Sequence, residues 1–137
     1  MTAATGDCFE AAIWTAYQIP DDERDQWRVC HGWPTGQGPI EGVVHAHAWL
    51  ERTDPVPEGL PEQFAANAAE FFTTVIDKSN GKDLEVSRTF YYSVGRIRPD
   101  QVHRYEIAQA FAYAVTEGHY GPWEPMPETA LPAYFYD

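Results

Sequence analysis

The stretch that most constrains the fold is Val43–Glu51, Val-Val-His-Ala-His-Ala-Trp-Leu-Glu. Val, Trp and Leu suit a pleated surface, and residues two apart on a strand point the same way. The run therefore predicts a central strand with His45, His47 and Trp49 on one face and Ala46, Ala48 and Leu50 on the other. The small residue on each side of His47 leaves room for something to approach its ring. Such a strand needs neighbours, and the flanking sequence supplies them.

Asp7–Gln18 reads as a helix capped by Thr5 or Asp7, with Phe9, Ala12, Ile13 and Ala16 forming a buried stripe. Ile19-Pro20 stops it. Trp27–His31 reads as a short strand, and the three glycines and two prolines of Gly32–Pro39 as a loop. After a loop over Pro55–Pro61, Glu62–Phe72 is expected as a short helix with Phe64, Ala68 and Phe71 or Phe72 facing inward. Thr73–Asp77 is a second strand, followed by the turn Ser79-Asn80-Gly81-Lys82. Leu84–Tyr92 fits either strand or short helix, and Val102–Tyr105 fits a strand. Glu106–Glu117 is a helix capped by Gly118, and the proline-rich tail from His119 should wrap the body without regular structure. The class is α+β, in a single domain over 1–137.

Composition bounds the function. Hydrophobic residues make up 44% of the chain, which suits a globular core rather than disorder. The net charge of −12 opposes unaided binding to nucleic acid or to an anionic membrane, because both need clustered cations. The N-terminus has no basic region followed by an apolar stretch, and no apolar run approaches a membrane span. The expectation is a cytoplasmic, soluble protein of bacterial or viral origin with no cofactor. Cys8 and Cys30 should then be free thiols, with a Cys8–Cys30 disulfide as the alternative in an oxidising medium.

Three residues stand in an order that can build a nucleophilic site. A thiol attacks as thiolate, and a helix N-terminus favours that anion, so Cys8 is the candidate nucleophile. His47 on the central strand is the candidate base, and Asp77 at the end of the next strand is the candidate orienter of its ring. The Cys8 backbone N–H can serve as one oxyanion donor; Gln18 and Asn80 are possible sources of a second. Each residue also has a plain structural role open to it: a buried small hydrophobe, a satisfied strand histidine, a turn aspartate.

Cys8 on a helix, His47-Ala48-Trp49-Leu50-Glu51 on a strand and Val75-Ile76-Asp77 on the next resemble the core of transglutaminase-like and papain-like cysteine enzymes over roughly residues 5–80. The chain also resembles small uncharacterised bacterial and phage proteins through His47–Glu51, Ile76–Gly81, Tyr91–Gly95 and Gly118–Trp123. The resemblance implies an N-terminal helix packed on a small antiparallel sheet. It also implies thiol-based acyl transfer on a peptide or protein substrate: hydrolysis, deamidation or transamidation. Trp49, His119 and Trp123 are the candidate substrate-binding residues.

Two other classes compete. His45 and His47 can ligate a metal ion, with His31, Glu51 or Asp77 completing the shell. Alternatively, an acidic chain can act as a non-catalytic binding or inhibitor module, anchored by Trp33, Tyr120, Trp123, Tyr134, Phe135 and Tyr136.

Overall fold

The computed structural model describes residues 7–36, 41–65 and 68–125. Helix α1 (Cys8–Tyr17) is followed by a 3-10 turn at Asp21–Gln26 and then strands β1 (Trp27–Gly32) and β2 (His47–Thr53). Two short helical turns, α2 (Glu62–Ala65) and α3 (Ala68–Phe71), lead to β3 (Thr73–Asp77). The chain continues through β4 (Leu84–Ser87), α4 (Arg88–Gly95), β5 (His103–Glu106) and α5 (Ile107–Glu117). The five strands form one sheet in the order β4-β3-β2-β1-β5. Every pairing in it is antiparallel.

Strand alternation divides the core in two. Val29, Ala48, Leu50, Ile76 and Tyr105 face one side, where the buried stripe of α1 (Phe9, Ala12, Ile13, Ala16) and Ile107 and Ala110 of α5 pack onto them. Cys30, Trp49 and Val75 face the other side, covered by Tyr92 and Ile97 at α4. Each buried large apolar side chain contributes roughly 1.5–3 kcal/mol relative to exposure. The α+β class and the N-terminal helix on an antiparallel sheet are thus observed.

Several boundaries differ from the sequence expectation, each for a local reason. The central strand begins at His47 rather than Val43, because the preceding segment pairs with the β1–β2 loop instead of with β1. The Gly36 N–H donates to Val43 O at 2.6 Å, and the His45 N–H to Pro34 O at 3.1 Å. The strand also runs on to Thr53, where Arg52 and Thr53 pair with Thr74 and Thr73. Of the helix expected over Glu62–Phe72, Glu62–Ala65 and Ala68–Phe71 are helical among the described residues, and Phe64 and Phe71 are exposed while Ala68 is buried. Leu84–Tyr92 contains both a strand and a helix start, with Ser87 Oγ accepting from the Phe90 N–H at 3.2 Å as the cap.

Asp7 occupies the cap position of α1 but makes no side-chain cap bond, and Thr5 lies outside the described residues. For α5, Glu106 and Gln109 form a reciprocal capping box, and Gly118 closes the helix in the left-handed region at φ 77°. Gly32 is required by packing, since a Cβ there would run into the Trp49 ring. Trp33, expected as an exposed anchor, is buried; Tyr134, Phe135 and Tyr136 lie outside the described residues. Among the described residues no helix is long and apolar enough to cross a membrane.

Candidate functional site

The two central strands converge on a carboxylate. The register that sets Leu50 against Ile76 brings Asp77 level with Trp49, one pleat from His47 on the same face. His47 Nε2 lies 2.9 Å from Asp77 Oδ2. Cys8 lines the same cavity as His47 and lies near enough to help raise the pKa of its ring. Cys8 stands in the first turn of α1, where backbone N–H groups have no intrahelical partner, and is 5% exposed. Cys8, His47 and Asp77 are therefore brought together, with His47 bonded to Asp77 and Cys8 beside it on the cavity wall.

Asp77 is 1% exposed and its oxygens are well occupied. Oδ1 accepts from the Ser79 N–H at 2.9 Å and from Ser79 Oγ at 2.6 Å, while Oδ2 also accepts from Tyr91 Oη at 2.7 Å. Burial alone would raise its pKa. The hydrogen bond and charge of His47, with the two bonds from Ser79, instead hold it well below the usual carboxylate range. Burial likewise opposes charge on His47, but hydrogen bonds to Asp77 and Cys8 and the negative charge of both raise its pKa to about 9. His47 is thus an imidazolium at neutral pH. Burial and the Asp77 charge push the Tyr91 hydroxyl upward, so it remains a donor.

The helix that carries Cys8 is tied to the turn that follows Asp77. The Asn80 N–H donates to Asp7 Oδ1 at 3.0 Å, which explains why Asp7 does not cap its own helix. Asn80 sits at φ 54° and Gly81 at φ 76°, the left-handed backbone that Asn and Gly tolerate best.

A cavity of about 630 Å³ opens beside these groups. Cys8, His47, Asp77 and Asn80 line one end, and the rest of the wall is largely apolar. Lys82 and His45 line it too, and among the described residues Lys82 is the only lysine or arginine that does. Burial lowers the pKa of His45, and the nearby positive charges of His47 and Lys82 push in the same direction.

The remaining sequence candidates are placed elsewhere. Trp49 is 1% exposed and stacks beneath His47, with ring centroids 6.1 Å apart and planes at 28°. It supports the imidazole from inside the core and is not available to a substrate. His119 and Trp123 do not line the cavity. Trp123 instead packs against His31, Tyr105 and Tyr113, and its Nε1–H donates to His119 O at 3.0 Å. Gln18 is exposed beyond the far end of α1, so it is not beside Cys8.

The metal reading is not assembled. Among the described residues no group of three or more His, Cys, Asp or Glu is placed to hold an ion. His31 is enclosed by Phe9, Tyr105 and Trp123, and Glu51 is bonded to Trp49, Tyr92, Arg88 and Arg104. Both cysteines are free and belong to different halves of the core, so the Cys8–Cys30 disulfide is not formed. Burial and the neighbouring Glu51 charge push the Cys30 thiol well up, which leaves it unreactive.

Sequence reading missed Ser79, Tyr91 and the Asp7–Asn80 bond. Asp77-x-Ser79 has the spacing of a side-chain-capped turn, so Ser79 was legible in principle. Tyr91 carried no such signal, because its role depends on α4 covering the Asp77 face of the sheet. No family model, curated protein or solved structure matches the chain.

Proposed function

We propose that the chain is a thiol-dependent acyl-transfer enzyme with Cys8 as nucleophile, His47 as general base and acid, and Asp77 as the group that orients and charges His47. The observation that carries this reading is the His47–Asp77 pair at 2.9 Å, with Cys8 lining the same open cavity. The arrangement is similar to that of papain-like and transglutaminase-like cores, with a Cys on a helix, a His on a strand and an Asp on the next strand.

The proposed chemistry begins with the Cys8 proton transferred to His47. The Cys8 thiolate attacks the substrate carbonyl carbon, and the backbone N–H of Cys8 at the helix start stabilises the resulting oxyanion. The intermediate collapses by breaking the bond to the leaving group, which takes the proton from His47. A thioester on Cys8 remains. Water or an amine then attacks it, giving its proton to His47, and the C–S bond breaks to restore the thiolate. Hydrolysis, deamidation and transamidation differ only in the leaving group and the second nucleophile. No step requires a cofactor.

Incubation with p-nitrophenyl acetate tests this directly. The expected result is an acetyl group on Cys8 by mass spectrometry, released by hydroxylamine, and absent in Cys8→Ser and His47→Ala. Acetylation confined to surface lysines would rule the proposal out.

A further inference from the structure

The cavity wall beyond the reactive end belongs to three separate pieces of chain. Val43 comes from the loop before β2, Leu84 and Val86 from one face of β4, and Phe90, Val94 and Ile97 from α4 and its exit. Leu84 and Val86 are two apart on a strand, and Phe90 and Val94 are four apart on a helix, so each pair presents one continuous surface. Phe90 is 58% and Val94 is 45% exposed. A helix already anchored through Tyr92 therefore offers a second apolar stripe to solvent at the cavity.

The geometry points to an apolar acyl pocket: the preferred substrate is a small ester, thioester or amide whose acyl part is a hydrocarbon chain or ring. This rests on the acyl-transfer reading. A carbonyl carbon at Cys8 leaves its flanking acyl group with the apolar wall as its neighbour. The volume of about 630 Å³ lies within the range of small-molecule sites. A polar amide side chain placed against Val43, Leu84, Val86 and Phe90 would lose water without gaining partners, whereas a hydrocarbon gains from the same burial.

Rates of Cys8 alkylation by N-methyl and N-octyl iodoacetamide, and by an iodoacetamide with a polar oligo-amide chain of octyl length, test this. In each case the thiolate displaces iodide and forms a thioether. The expected result is an octyl rate above the methyl rate by on the order of 100-fold, with saturation, and little gain from the polar chain. Replacing Phe90→Gln and Val94→Asn together, at two exposed positions, should lower the octyl-to-methyl ratio at least tenfold. Equal methyl and octyl rates would overturn the pocket, and a faster polar chain would overturn it in favour of an amide or peptide substrate. The acyl-transfer reading is judged separately, by whether the methyl reagent labels Cys8 in a His47-dependent way.

Discussion

Asp7 and Asn80 are separated by most of the site's sequence, yet the Asn80 N–H donates to Asp7 Oδ1 at 3.0 Å. The bond joins the residue before Cys8 to the turn that follows Asp77. Relative placement of Cys8 and Asp77 is thus set across the sheet end rather than within either element. Asp7→Ala should cost about 1 kcal/mol in chemical denaturation. It should also slow Cys8 acylation by more than the stability loss explains, while Asp7→Asn, which keeps the acceptor, should retain most activity.

Against burial, the hydrogen bond to Asp77, the neighbouring Cys8 and the Asp77 charge raise His47 to about 9, and Tyr91 helps fix that carboxylate at 2.7 Å. Asp77→Asn should lower turnover by roughly 10³–10⁴ while leaving the fold intact. Tyr91→Phe removes one donor and should have a smaller effect, on the order of tenfold. In Asp77→Asn the alkaline limb of the pH–rate profile should move to lower pH, and an unchanged profile would remove Asp77 from the site.

That alkaline limb has a defined position. His47 must be protonated to donate to the leaving group, so activity should fall as pH rises through about 9. Stability should follow the same group. The folded-state pKa lies above the ordinary value of 6.5, so the contribution is fully present below pH 6.5 and is lost as pH rises through about 9. Denaturation midpoints of the protein and of His47→Ala should converge above that pH.

His31 behaves oppositely. It is 2% exposed, neither ring nitrogen has a hydrogen-bond partner among the described residues, and burial followed by the His103 charge lowers its pKa to about 3. The unfolded chain binds a proton below pH 6.5 that the folded chain refuses until about 3, so stability falls as pH falls through this window. The slope attributable to His31 approaches about 1.4 kcal/mol per pH unit. His31→Leu should flatten it, and an unaltered slope would show that His31 is not the group responsible.

Glu51 closes the far end of the His47–Trp49 face. Its carboxylate accepts from Trp49 Nε1 at 3.0 Å and from the Tyr92 hydroxyl, with Arg104 Nε at 3.2 Å and Arg88 at 3.5 Å. Glu51→Ala should destabilise by about 3–5 kcal/mol, because buried donors and charges lose their shared acceptor. Glu51→Gln should cost less.

Local patterns made the main elements legible: the α1 stripe, the alternation through His47–Glu51, the turn after Asp77 and the α5 cap. The three residues Cys8, His47 and Asp77 were legible for the same reason, since each is marked by its own element and the structure brings all three together. Trp49 was misassigned because strand alternation fixes the face but not what covers it, and Tyr91 and Tyr92 of α4 pack over Trp49. His119 and Trp123 were misplaced because an irregular segment's destination depends on long-range packing, here around His31. The start of β2 was missed because Val43–Ala46 has strand composition but finds its partners in a loop.

The most direct test is the alkylation rate of Cys8 and Cys30 by iodoacetamide as a function of pH, in the protein and in His47→Ala. A thiolate–imidazolium pair predicts that Cys8 labels on the order of 100-fold faster than an ordinary thiol at a pH well below the usual thiol value of about 8.5. His47→Ala should abolish the advantage, and buried Cys30 should stay unlabelled. Labelling of Cys8 at the rate of an ordinary thiol, or at a rate indifferent to His47, would contradict it.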